Sequence, residues 1–128
     1  MSAIYVIDDD VCIRDAIKMF LQSEGFVVNT FSSARDFFRT CSSGDTGCIL
    51  TEVEIPGDIT GLDFLANISK NAPKRPVIVM TGSGDGAFRR AAHALGACDY
   101  LEKPFSAERL IEAVSNATLP AAKAVAAE

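Results

Sequence analysis

The stretch that most constrains the fold is CILTEVEIP, residues 48–56. It begins as a continuous run of apolar and β-branched side chains and ends in two acids, Glu52 and Glu54. A continuous apolar run is typical of a strand that is covered on both faces, as in a parallel sheet. Carboxylates at the end of such a strand indicate a functional edge, because buried charge is costly without a partner.

Four more apolar runs resemble this one, and each of the five is followed by a segment with helical periodicity. Ser33 and Thr60 each precede an aspartate by three residues, which is a helix start signal, and Gly25 and Gly96 are placed to end helices. This β–α alternation predicts a parallel, doubly wound sheet with helices on both faces, in one domain over residues 1–118 and a flexible tail over 119–128. The predicted strands are Ile4–Ile7, Val27–Phe31, Cys48–Val53, Pro76–Met80 and Asp99–Leu101.

The composition excludes several classes of protein. The chain has 128 residues, 48% of them hydrophobic, so it can bury a core without disulfides. Its net charge of −5 disfavours nucleic acid as a direct partner. No apolar run is long enough for a membrane span, and the start MSAIYVIDDD lacks the basic region of a signal peptide. Four cysteines without CxxC spacing are interpreted as reduced thiols, so we expect a cytoplasmic protein.

Polar side chains follow four of the predicted strands, and the carboxyl ends of strands in such a sheet form the usual ligand site. Crowded carboxylates repel one another unless a cation lies among them, and hard oxygen ligands suit Mg²⁺. A lysine and a hydroxyl opposite them suit phosphate oxygens. The pattern favours a phosphoryl-transfer or phosphate-sensing site over four independent solvated loop ends. The residues at the ends of the four predicted strands are Asp8, Asp9, Asp10, Glu52, Glu54, Thr81, Lys103 and Pro104.

The sequence resembles the receiver domain of two-component response regulators. The resemblance lies in VIDDD, in TEVEIP followed by GLDFL, in VIVMTG and in GACDYLEKPF, and it extends to about Thr118. It implies a flavodoxin-like (βα)5 domain with strand order 2-1-3-4-5. It also implies phosphoryl transfer onto an aspartate from a sensor histidine kinase or a phosphotransfer protein, with Mg²⁺ as cofactor.

The resemblance assigns a role to each matching residue. Asp8 and Asp9 look like the acidic metal pair, and Glu52 occupies the phosphoacceptor position. The metal would be held by these three side chains together with the backbone carbonyl of Glu54.

The same resemblance assigns the residues that respond to the phosphoryl group. Thr81 looks like the switch hydroxyl, and Tyr100 looks like the aromatic residue whose rotation reports the state. Lys103 would pair with the phosphoryl oxygens, and its peptide bond to Pro104 would be cis.

The sequence departs from the family at the acceptor, where an aspartate is usual. Glutamate at position 52 carries one more methylene, which moves the carboxylate by roughly 1.5 Å. In-line transfer depends on tight positioning, so efficient phosphorylation is doubtful. Four interpretations stay open: slow phosphorylation, a carboxylate that imitates the phosphorylated state by reaching Thr81 or Lys103, a substitution engineered for that purpose, and an inactive site.

Two loops near this position also differ from the usual pattern. The loop after Pro56 is one residue longer than usual, and Asp58 in it adds an acid near the expected metal; a tolerated insertion is the simpler interpretation. Gly82–Gly86 is interpreted as a mobile loop that lets Thr81 move. On the fourth helix we expect an exposed basic face, formed by Arg89, Arg90 and His93.

The leading hypothesis is a non-enzymatic receiver that signals by protein–protein contact. Its partners would be a sensor histidine kinase or phosphotransfer protein, and another response regulator or a second copy through the face from the fourth to the fifth helix. The rival hypothesis is a phosphohydrolase of the haloacid dehalogenase type, because Asp8 and Asp10 have the spacing of its two acids. The chain is short for that class.

Overall fold

The computed structural model describes residues 3–41, 46–82 and 86–118. In those ranges the chain forms one five-stranded parallel sheet in the order β2-β1-β3-β4-β5, with a helix after every strand. The fold class and the strand order predicted from the sequence are therefore confirmed. The strands are β1 (Ala3–Ile7), β2 (Val27–Phe31), β3 (Cys48–Glu52), β4 (Val77–Thr81) and β5 (Asp99–Glu102). The helices are α1 (Val11–Ser23), α2 (Ala34–Thr40), α3 (Gly61–Asn71), α4 (Gly86–Ala94) and α5 (Ala107–Thr118).

Helices cover both faces of the sheet and make two cores. Val6 belongs to the core under α1 and α5, and its neighbour Ile7 belongs to the core under α2, α3 and α4. Successive strand residues point to opposite faces, so an apolar run such as Val77–Met80 is buried on both sides. The continuous hydrophobicity seen in the sequence follows from this double cover.

The helix starts follow the predicted capping residues. The side chain of Ser33 accepts a hydrogen bond from the backbone amide of Asp36, and Thr60 does the same for Asp63. The hydroxyl of Ser106 accepts from the amide of Arg109 at the start of α5. Such caps satisfy amides that have no partner inside the helix and so fix where each helix begins.

Two of the sequence interpretations fall partly or wholly outside the described residues. The expected flexible tail, 119–128, lies outside them, and so does the middle of the expected mobile loop, 83–85. Within the described ranges no helix combines the length and the hydrophobicity needed to span a membrane.

Candidate functional site

The carboxyl ends of β1, β3 and β5 bring three charged side chains together. The Lys103 ammonium nitrogen Nζ lies 2.7 Å from Oδ2 of Asp8 and 2.6 Å from Oε1 of Glu52. The backbone amide of Lys103 donates to the carbonyl of Thr81, so the lysine side chain starts beside the end of β4 and extends across it. The structure thus assembles the predicted acceptor position, the predicted lysine and one predicted metal ligand.

Both carboxylates use their second oxygen as well. Oδ1 of Asp8 accepts from the amide of Asp10 at 2.9 Å, while Oε2 of Glu52 accepts from the amides of Val53 at 2.7 Å and Glu54 at 3.2 Å. The side chain of Asp8 is 1% exposed and that of Glu52 is 10% exposed. Buried carboxylates are tolerated when their charge is paired and their oxygens accept hydrogen bonds, and both conditions hold here.

The charge of Lys103 is secured by its two partners. Burial alone would lower the pKa of Lys103, but the hydrogen bonds to Asp8 and Glu52 outweigh burial, and the net pKa lies above its ordinary value of 10.5. The residue therefore stays a cation across the physiological range. The sequence assigned this lysine to phosphoryl oxygens, and in the structure its charge pairs with the two acids.

The predicted switch residues lie on the neighbouring strands β4 and β5. Thr81 is buried at the end of β4, next to the site. The ring of Tyr100 on β5 is partly buried, with its centre 6.1 Å from that of Phe88, and the guanidinium carbon of Arg89 lies 5.5 Å from the Tyr100 ring centre. The peptide bond between Lys103 and Pro104 is cis, as the resemblance implied.

The donor set fits Mg²⁺ in chemistry but is only partly assembled. Asp8 and Asp9 are adjacent, and Glu54 follows β3 on the same edge of the sheet. One or two carboxylates and a carbonyl, completed by water, are ligands that Mg²⁺ accepts. In the present geometry Oε1 of Glu52 accepts from Lys103 and Oε2 accepts from the amide of Val53. Within the described ranges, no three His, Cys, Asp or Glu side chains are arranged to hold a metal together.

Two further acids near the strand ends cap helices. The side chain of Asp10 caps α1, accepting from the amides of Cys12 and Ile13. Asp58 was expected to add an acid near the metal, and the structure corrects this interpretation: its carboxylate accepts from the amides of Ala34 and Arg35 at the start of α2. A helix N-terminus attracts a carboxylate through its free amides and its dipole, which explains the change.

The sequence analysis missed one residue of the site. A guanidinium nitrogen of Arg14 donates to the backbone carbonyl of Asp8 at 2.6 Å, which ties α1 to the end of β1. The available signal was position, since Arg14 lies one helical turn after the capping residue Asp10, facing back toward the strand end.

Arg109 on α5 makes a charged contact with Asp99, the first residue of β5. Its two terminal nitrogens bind the two carboxylate oxygens of Asp99, at 2.7 and 3.0 Å. On the neighbouring helix, Arg89, Arg90 and His93 are exposed, as predicted. These residues form one charged face across α4, β5 and α5.

Comparisons with known proteins agree with this geometry. The profile of the response regulator receiver domain matches residues 4–115. The transcriptional regulatory protein FixJ of Bradyrhizobium diazoefficiens is 39% identical over 126 residues, which are 96% of this chain and 61% of FixJ. The chain also covers only 52% of FixJ from Azorhizobium caulinodans, at 41% identity, so it corresponds to part of these relatives.

Solved structures give the same result. Full-length FixJ from B. japonicum superposes with a TM-score of 0.84 at 38% identity, covering 95% of this chain and 61% of that one. The beryllofluoride-activated NtrC4 receiver domain dimer superposes with a TM-score of 0.85 at 31% identity, covering 91% and 96%. The sequence profile and the fold agree, and the chain belongs to the response regulator receiver domain family.

Proposed function

We propose that this chain is a receiver module of a two-component phosphorelay, located in the cytoplasm, that signals by protein–protein contact and in which Glu52 is a poor phosphoryl acceptor. The observation that supports this most directly is the engagement of both Glu52 oxygens, one by Lys103 and one by two backbone amides. An attacking oxygen must be free and aligned with phosphorus, so each of these contacts opposes attack.

The contacts of Glu52 resemble what a bound phosphoryl group would need. A lysine ammonium and backbone amides are the donors that stabilise phosphate oxygens, and here they serve a carboxylate of the protein itself. Glu52 therefore supplies a built-in anion at this position. It provides fewer acceptor oxygens and less charge than an acyl phosphate, so we expect it to imitate that state only in part.

The proposal includes Mg²⁺, with the side chains of Asp8 and Asp9 and the backbone carbonyl of Glu54 as its ligands. When bound, it would supply positive charge to the oxygens of a phosphoryl group. The residues of the chain do the rest: Lys103 holds the Glu52 carboxylate, and Arg14 fixes the carbonyl of Asp8. The rival hypothesis, a phosphohydrolase of the haloacid dehalogenase type, finds no support in the family match.

The acceptor hypothesis is tested by incubation with acetyl phosphate and Mg²⁺ followed by intact mass measurement. We expect no rapid gain of one phosphoryl group by the unaltered chain and clear labelling of Glu52→Asp, whose shorter side chain restores the usual nucleophile. Glu54→Asp makes the same chemical change two residues away and should stay unlabelled. Rapid stoichiometric labelling of the unaltered chain would overturn the proposal, and an unlabelled Glu52→Asp would move the defect to the longer loop after Pro56.

The partner is proposed separately. We expect a sensor histidine kinase or phosphotransfer protein to approach the strand-end site, and a second receiver to pack on the charged face of α4, β5 and α5. Sedimentation equilibrium tests the pairing with a second copy. Arg90→Glu on the charged face should weaken self-association, and Arg39→Glu on α2 should not. A chain that stays monomeric at every concentration would reject pairing with a second copy.

A further inference from the structure

The longer loop after β3 ends in a defined turn. The amide of Asp58 donates to the carbonyl of Ile55 at 3.1 Å, which closes a four-residue turn with Pro56 and Gly57 at its centre. Gly57 has φ +77°, the left-handed conformation that the third position of a type II turn requires, and proline favours the position before it. The turn fixes the direction in which Asp58 leaves the loop.

Asp58 reaches from this turn to the start of α2. Its Oδ2 accepts from the amide of Ala34 at 2.6 Å and its Oδ1 accepts from the amide of Arg35 at 3.3 Å. In return, the guanidinium of Arg35 donates to the carbonyl of Gly57. These reciprocal contacts among Asp58, Ala34, Arg35 and Gly57, the α2 anchor, join residues 22 to 24 positions apart in the chain.

The α2 anchor supplies hydrogen-bond acceptors for the free backbone amides at the start of a short helix. Ser33 accepts from the amide of Asp36, and Asp58 supplies the acceptors for the two amides before it. With seven residues, α2 is too short to be stable by itself and depends on packing and caps. Asp58 is therefore a substantial part of what keeps this helix formed.

The other end of the same loop is held by the acceptor position. Residues 53–58, the site loop, start with the two amides that donate to Oε2 of Glu52 and end with Asp58. Glu52 and the α2 anchor thus fix the same six residues from opposite ends. Because both ends of the site loop are held by hydrogen bonds, a movement of one end should disturb the hydrogen bonds at the other end.

We propose that the α2 anchor couples α2 to the functional site, so that the start of α2 and the site loop open and close as one unit. Asp58 and Arg35 are then positioning residues for the backbone that holds Glu52. The inference does not depend on phosphorylation or on Mg²⁺, because both ends of the coupling are hydrogen bonds of this chain. The additional residue lengthens the loop and so helps Asp58 to reach the start of α2.

Amide hydrogen exchange, measured residue by residue by NMR, tests this coupling. In Asp58→Ala we expect faster exchange at Ala34 and Arg35, which lose their acceptor, by about fivefold, as for a lost helix cap. The decisive result is faster exchange at Glu54 as well, and to a smaller extent at Val53, since neither amide binds Asp58. The amide of Glu54 donates to Glu52, while that of Val53 donates both to Glu52 and to the carbonyl of Met80. Reciprocity requires that Glu52→Ala raises exchange at Ala34 and Arg35.

Matched variants separate coupling from general destabilisation. Arg35→Met removes the guanidinium that binds the site loop, while Arg39→Met removes a guanidinium of the same helix that pairs with Asp36. Only the first should change exchange at Val53 and Glu54. Asp63→Ala, which removes an exposed acid from the first turn of α3, should leave all four amides unchanged. Faster exchange confined to Ala34 and Arg35 in Asp58→Ala would make Asp58 a simple helix cap and overturn the proposal.

Discussion

The ammonium of Lys103 lies 2.6 Å from Oε1 of Glu52, although the two residues are 51 positions apart in the chain. The same nitrogen holds Asp8 at 2.7 Å, so one cation serves two acids that would otherwise repel each other at the end of the sheet. The contact joins the last residue of β3 to the residue that follows β5. It also makes Lys103 a structural residue, with consequences for stability.

Loss of the lysine charge should destabilise the fold. In Lys103→Met we expect the free energy of unfolding to fall by about 2 kcal/mol, below the value for a fully buried pair because the lysine side chain is 18% exposed. The urea midpoint measures this loss of stability, and an unchanged m-value would show that unfolding exposes the same amount of surface. Adding Asp8→Asn should recover part of the loss, because Glu52 is then the one partner of Lys103 that is left charged without its cation. Lys74→Met, at an exposed position, is the control, and equal midpoints for both methionine variants would contradict the prediction.

A second ion pair should be sensitive to acid. Partial burial would raise the pKa of Asp99, but the hydrogen bonds from Arg109 outweigh it, and the pKa lies below its ordinary value of 3.8. A lowered folded-state pKa contributes stability above 3.8 that is lost as the pH falls through the folded-state pKa. Asp99→Asn should therefore cost about 1 kcal/mol at about pH 7 and less at a pH below 3.8. Urea unfolding at both pH values checks this against Asp15→Asn, and a cost that persists in acid would refute it.

The four cysteines should differ in reactivity. Burial raises the pKa of Cys48 to about 12, while Cys12 and Cys98 are exposed. Because the thiolate is the reactive form, a thiol-specific reagent at about pH 8 should modify Cys12 and Cys98 in the folded chain and Cys48 only after unfolding. Peptide mass spectrometry over time identifies the modified positions. Equal rates at Cys48 and Cys98 would show that β3 is open to solvent.

A close approach makes Gly61 hard to replace. A β-carbon there would lie 2.6 Å from both Cα and Cβ of Val53, in a region where the start of α3 packs on the site loop. We expect Gly61→Ala to cost about 2 kcal/mol in the free energy of unfolding, as overpacking does. At Gly86 a β-carbon would meet only the flexible Arg90 side chain at 3.5 Å, so Gly86→Ala should be neutral in the same thermal or urea measurement. Comparable losses in both variants would contradict the steric explanation.

The order of the elements was predictable because local patterns and packing agree. Double burial makes the strands continuously apolar, and caps such as Ser33 and Thr60 mark the helix starts. The ends of strands were less predictable. Val53 was assigned to the third strand because it is apolar, and it is indeed buried. Its amide donates to the carbonyl of Met80 on β4, but β3 ends at Glu52 and Val53 begins the site loop. Hydrophobicity indicates burial and does not specify which backbone partner a residue has.

The site was predictable where it depends on topology and less so where it depends on loop geometry. Asp8, Glu52 and Lys103 follow strands whose ends meet in any sheet of this order. The direction of Asp58 could not be predicted, because it depends on the turn at Gly57 and on the distance to α2, which the sequence does not give. The same limit applies to Arg14, whose acceptor is a backbone carbonyl and leaves no trace in residue type.

The contact between Lys103 and Asp8 also bears on how the protein is made. Its two residues are 95 positions apart, so the acid is synthesised near the beginning of the chain and its cation near the end of the domain. Domains acquire structure as they emerge from the ribosome, and contacts between distant positions form late. A nascent chain that stops before residue 103 contains Asp8 and Glu52 without the ammonium that pairs with them in the finished fold. The synthesis of Lys103 is therefore the first point at which these two carboxylates can acquire the cation that pairs with them in the finished fold.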